Sequence, residues 1–135
     1  MAFTLTFPKR STAKSVETPY MKIWIEENIL HCKYAEDSHI NILIARHCVQ
    51  ARLSFSQGIS YSCFVDMRGV KSATKEAGEY LANEGAKLIT AGALLIHSPL
   101  TRALGNIFLL INKPNVPGKL FTDEREAIIW LKQYL

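Results

Sequence analysis

The chain has 135 residues, of which 48% are hydrophobic and 21% charged, a length and balance that fit one globular domain with a single core and argue against a second domain. Its longest apolar run, Ala91 to Ile96, is far short of the roughly 20 residues of a membrane span, and no apolar segment of the signal-peptide kind opens it, so a cytoplasmic location is expected. The formal charge of +4 is scattered and fits no nucleic-acid-binding motif, so no nucleic-acid partner is expected.

Residues 1–19 place Lys9, Arg10 and Lys14 among serines and threonines, with Pro8 and Pro19, and read as an N-terminal extension ahead of a single domain over residues 20–135. Phe3, Leu5 and Phe7 alternate with threonines, which leaves a short added strand open as the other reading. Met21, Ile23 and Ile25, then a Glu26-Glu27-Asn28 turn, then Leu30, Cys32 and Tyr34 predict a β-hairpin. Ile44, Cys48, Ala51 and Phe55 mark one stripe of a first helix, with Asn41 as its cap and Gly58 as its stop.

Tyr61 to Val65 is a nearly continuous apolar run ending at Asp66, the pattern of a strand covered on both faces. A polar turn follows, then a second helix marked by Ala77, Leu81, Glu84 and Leu88. Ala91 to Ile96 is another doubly covered strand, and Ser98-Pro99 reads as the cap and first position of a third helix with a stripe of Leu100, Leu104, Ile107 and Ile111. A loop from Asn112 to Gly118, a short strand from Lys119 to Phe121 and a last helix close the chain, with Asp123, Glu124 and Glu126 favouring the helix dipole and Ala127, Leu131 and Tyr134 forming its stripe. The predicted order, ββαβαβαβα, is an α/β fold: a mixed sheet of about five strands, an antiparallel hairpin followed by parallel strands, with four helices. Its key expectation is that 61–66 and 91–96 lie side by side and parallel.

The three cysteines, Cys32, Cys48 and Cys63, are odd in number and form no CxxC pair, so they read as reduced core thiols. His31, His39 and His47 lack metal-ligand spacing and are expected at solvated or edge positions. No cofactor and no metal are expected. Parallel neighbours would bring Asp66 and His97 to one sheet edge near Ser72, Ser98, Arg68 and Arg102, from which a Ser-His-Asp arrangement can be drawn. The sequence has no GxSxG elbow and no glycine-rich loop, and Ser98 is explained as a cap, so no catalysis is expected. Asp66 is expected to order its turn by accepting backbone hydrogen bonds.

Two stretches, "FVDMRGVKSATKEAG" and "LFTDEREAIIWL", resemble the STAS domain, the SpoIIAA-like fold of bacterial anti-sigma-factor antagonists, in which a strand, an aspartate, a short turn and a helix start recur. The resemblance covers Met21 to Leu135 and implies the SpoIIAA-like βα superhelix and a non-catalytic, protein-binding regulatory module. In the antagonists the helix start reads approximately Asp-Ser-Ser-Gly and carries a serine that a kinase phosphorylates. Here Asp66 and Val70 fall in register, and that serine is met by Lys75 or Glu76, with Ser72 and Thr74 as nearby hydroxyls. The resemblance therefore implies a switch or binding turn of Asp66, Arg68, Ser72, Thr74 and Lys75.

The apolar excess of "TRALGNIFLLINKP" adds a second surface, Leu100, Phe108, Leu109 and Leu110, with Leu109 half a turn from the stripe. That surface either packs against the extension or meets a partner: another protein, a second copy of the chain as a homodimer, or a lipid. The alternative function is a small-ligand or lipid-binding module with an apolar pocket against the third helix.

Overall fold

The computed structural model describes residues 15–112 and 116–135, the side chains of residues 108 and 110–112 excepted. In chain order the elements are β1 (Ser15–Glu17), β2 (Met21–Glu26), β3 (Ile29–Tyr34), β4 (Ser38–Ile40), α1 (Ile42–Ser56), β5 (Tyr61–Asp66) and β6 (Val70–Ala73). They continue with α2 (Lys75–Asn83), a single 3-10 turn (Glu84–Ala86), β7 (Ile89–Leu95), α3 (Pro99–Asn112), β8 (Gly118–Phe121) and α4 (Glu124–Lys132). Six strands form one sheet in the order β1-β2-β3-β5-β7-β8, and β4 and β6 form a separate two-stranded sheet.

The hairpin of β2 and β3 closes through Glu27 and Asn28, both left-handed (φ 54° and 65°), the backbone of a two-residue turn whose twist matches that of the strands. From β3 onward the main sheet is parallel: β5 pairs with β3 on one side and with β7 on the other, Ser62 opposite Ala91 through Asp66 opposite Leu95. The expected parallel neighbours are therefore present. Leu30, Cys32, Cys63 and Leu94 turn to a larger core shared with Ala45 and Cys48 of α1 and Ala77 of α2. Their alternates Ile29, Phe64, Ala93 and Leu95 turn to a smaller core closed by Ala127 and Leu131 of α4.

Two expected caps are present: Asn41 accepts from Ile44 N at 2.9 Å and Ser98 Oγ accepts from Thr101 N at 3.1 Å. Asp123, read as part of the first turn of the last helix, is instead its N-cap, accepting from Arg125 N at 2.8 Å and Glu126 N at 3.3 Å. α1 ends through a left-handed Gln57 followed by Gly58 at φ 81°.

Several readings are corrected. The main sheet has six strands because β1, inside the stretch read as an extension, pairs antiparallel with β2; Phe3, Leu5 and Phe7 lie outside the described residues. β4 and β6 are too short to carry a periodic signal, and they form because Ser38 pairs with Val70 and Ile40 with Ala73. His31 is buried, at 5% exposure, because the outward side of β3 is covered: Trp24 stacks on its ring at 4.9 Å and Phe64 meets it edge-on at 5.5 Å. Burial pushes its imidazole pKa down against the pull of Glu26, Glu124 and Glu27, and Nδ1 has no partner among the described residues.

The phase of α3 also differs. Leu100 and Ile107 are 44% and 45% exposed, while Thr101 and Gly105 are buried and Leu109 packs against the larger core. Small residues face inward because the helix lies close to β8: a Cβ on Gly105 would come within 2.7 Å of Leu120 Cδ2. Thr101 tolerates burial because its Oγ1 accepts from His97 N at 3.0 Å and Ser98 N at 3.1 Å. The side chain of Ile111 lies outside the described residues.

The turn after β5 is pinned by Gly69, whose carbonyl accepts from Ser38 N at 2.9 Å. A Cβ there would collide with the carbonyl oxygen of Ala35 and stand 2.9 Å from its carbon, both unyielding backbone atoms. Gly69→Ala is expected to lower stability by roughly 1–3 kcal/mol through overpacking, read as a lower urea midpoint at unchanged slope. A midpoint equal to that of the unaltered protein contradicts this close approach.

Candidate functional site

Strand β5 ends at the sheet edge where its C-terminal end and that of β7 emerge, the edge at which open α/β sheets bind their ligands. Asp66 closes it. Its Oδ1 accepts from Arg68 N and Arg68 Nε, both at 3.0 Å, and its Oδ2 from Arg68 Nη2 at 2.8 Å, so backbone and guanidinium of one residue chelate one carboxylate. Burial alone would push the Asp66 pKa up; the Arg68 side chain, its backbone N–H and its charge outweigh that and hold the carboxyl below its ordinary value. The expected backbone bond to Asp66 is present, strengthened by the fork.

The remaining turn residues have separate tasks. Ser72 sits in β6, exposed, its Oγ 2.8 Å from Nδ1 of the likewise exposed His39 on β4. Thr74 is the N-cap of α2, its Oγ1 accepting from Ala77 N at 3.1 Å. Lys75 opens the helix with a side chain 90% exposed and only a loose 3.9 Å approach to Glu79. Arg68, Lys71, Ser72 and Lys75 are all exposed to solvent.

The drawn Ser-His-Asp arrangement is not assembled. Among the described residues Asp66 bonds only to Arg68, His97 is exposed with no side-chain bond, and Ser98 Oγ is engaged with Thr101. The second predicted surface divides: Leu100 is exposed, Leu109 packs into the larger core, and the side chains of Phe108 and Leu110 lie outside the described residues.

Leu109 instead walls a half-open cavity of about 120 Å³ beside the larger core, bounded by the three free thiols of Cys32, Cys48 and Cys63, by Leu81 and by Gly92. Cys32 and Cys63 lie sulfur to sulfur at 3.9 Å, and burial pushes the Cys48 thiol up to about 11. Arg52 of α1 also lines this space, buried at 5% exposure. The sequence reading missed Arg52 and Gly92. A signal was available, since Arg52 follows Ala45, Cys48 and Val49 at the spacing of the helix's buried face.

Known proteins bear on this geometry as follows. Residues 23–135 match the family described as a domain of unknown function, DUF7793, and the chain belongs to that family. No curated protein is significantly similar in sequence. Among solved structures, an anti-sigma factor antagonist from Mycobacterium paratuberculosis is similar with a TM-score of 0.65 at 15% identity, over 87% of this chain and 99% of that one. An uncharacterized protein of the DUF3478 family with a SpoIIAA-like fold, from Shewanella loihica, is similar with a TM-score of 0.61 at 15% identity, over 82% of this chain and 91% of that one. The fold is therefore SpoIIAA-like, an α/β architecture with four helices on a mixed sheet. Among the described residues no helix is long and apolar enough to cross a membrane.

Two expectations follow from the turn. Since the folded-state pKa of Asp66 lies below the ordinary 3.8, its pairing stabilises the protein above that value and is lost as pH falls through the folded-state value. Asp66→Asn should cost about 1 kcal/mol at neutral pH, toward the low end for a charged pair because Arg68 is half exposed, and its gap from the unaltered protein should close in the acid range. A gap independent of pH contradicts the pairing. Separately, Thr74→Ala should cost about 1 kcal/mol for a lost cap, whereas Ser72→Ala should leave the melting temperature unchanged; equal effects contradict this division of labour.

Proposed function

We propose that the chain is a non-catalytic regulatory module that binds another protein through the turn from Asp66 to Lys75. One observation carries this reading: the polar groups that hold the turn, Asp66, Arg68 and Thr74, are spent on one another and on the backbone, which leaves the charges of Lys71 and Lys75 facing solvent beside it. Exposed positive charge beside a hydrogen-bonded turn suits recognition of an acidic protein surface. The antagonist fold supports it by analogy. The position of the antagonists' phosphorylated serine is filled by Lys75 or Glu76, so docking in this chain does not depend on a phosphate there.

A second reading, a small-ligand module, is favoured by the cavity walled by Leu109, which is apolar and lies against the third helix as that reading requires.

The test of the first reading is a photo-crosslinking amino acid placed in cells at Ser72 and, as a control, at Ile129, which is 59% exposed on α4. The Ser72 probe should give a discrete heavier adduct with another protein, the Ile129 probe none, and the pair Lys71→Glu with Lys75→Glu should weaken the Ser72 adduct by roughly tenfold through charge reversal. An adduct equally strong from both positions, or none from Ser72, overturns the docking edge.

A further inference from the structure

The cavity beside the larger core has two features that ordinary packing does not explain. The first is Gly92, in the middle of β7. Its backbone is not in the left-handed region, and a Cβ built on it would meet nothing within 4 Å. Neither conformation nor crowding therefore calls for glycine there, although glycine weakens a strand interior. Its neighbour on the same face, Leu94, packs into the core, so the missing side chain at Gly92 leaves the void open.

The second feature is Arg52. Its Nη2 donates to the carbonyls of Gly85 at 3.0 Å and Lys87 at 2.9 Å. Its Nη1 is buried with no hydrogen-bond partner, and no carboxylate pairs with the guanidinium among the described residues. A buried cation without a counter-ion is costly. Here one borders an apolar space.

We propose that this cavity binds a small monocarboxylate with a short apolar tail, one carboxylate oxygen accepting from Arg52 Nη1 and the tail lying against Leu81, Leu109 and the face of Gly92. The proposal rests on the small-ligand reading and names its ligand class. Size sets the limit: a void of about 120 Å³ is on the scale of those that take up a guest the size of benzene. Charge sets the head group. A single guanidinium balances a single negative charge, a phosphate dianion would bury an uncompensated one, and a neutral guest could accept from Nη1 but would leave the guanidinium charge uncompensated.

The experiment titrates the full chain with sodium isovalerate and, in parallel, with isovaleramide, a neutral molecule of the same shape, following ligand-observed NMR and thermal melting. Isovalerate should saturate and raise the melting temperature with concentration, and the amide should bind roughly tenfold more weakly, because its carbonyl accepts from Arg52 without the charge that strengthens the bond to a carboxylate. Gly92→Val, whose side chain occupies the void, should abolish isovalerate binding while melting stays cooperative, and Arg52→Met should remove the preference for the acid. Equal binding of acid and amide by the unaltered protein overturns the carboxylate assignment and leaves the small-ligand reading standing. Binding of neither overturns both. Isovalerate binding that persists in folded Gly92→Val overturns the location. The acid-against-amide comparison needs no variant, so it decides the ligand class even where Arg52→Met fails to fold.

Discussion

Strand β5 pairs in parallel with β3 on one side and β7 on the other, leaving no free backbone edge, and its two faces look into two different cores. Such a strand is held along its whole length, so its last residue is fixed in space. That residue is Asp66, a buried carboxylate that has to be satisfied where it emerges. Arg68 satisfies it from two residues on, which forces the chain to turn at once; Gly69 then passes against the backbone of Ala35, and Thr74 starts α2. The solvent-facing edge is thus a consequence of how a central parallel strand must end.

The two cores are unequal, and the difference has a physical origin. On one side α4 covers the sheet with Ala127 and Leu131 fully buried against Phe64, Ala93 and Leu95, small residues letting the helix sit close. On the other side three helices converge on strands that carry a glycine and two cysteines, residues too small to fill the space between them. A void in a core costs stability, because its lining forgoes contacts. An unpaired buried cation beside it adds a cost of a different kind. Departures from consistent packing that coincide at one place are where function is expected to reside.

Much of this was legible in the sequence. The alternation of Met21 to Tyr34, the continuous apolar runs of β5 and β7 and the caps at Asn41 and Ser98 are local signals, and the structure uses each of them locally. What escaped depends on partners that hydropathy phase does not register. His31 has the phase of an outward residue, and Trp24 across the hairpin together with Phe64 of a distant strand makes it interior. α3 is apolar on nearly every side, so hydropathy left its phase undetermined, and close approach to β8 selected Thr101 and Gly105 instead of Leu100 and Ile107. In the turn, Ser72 and Thr74 are alike by residue type, and their separate tasks required β4, because the bond from Ser72 to His39 crosses between two strands that are not neighbours in sequence. Arg52 was passed over because a charge on an apolar stripe is ordinarily read as an interruption of it.

The edge and the cavity are joined by one helix. The first turn of α2 is bound to the edge through Thr74, and the turn that follows its end supplies the carbonyls of Gly85 and Lys87 that hold Arg52. Leu81 and Ala82, between them, line the cavity wall. A protein-docking edge and a ligand cavity are often weighed as rival explanations of a small domain, yet here they draw on opposite ends of the same short element. The helix is nine residues long, so its two ends lie close together. The two readings place no competing demand on the same residues, and α2 is one element that borders both.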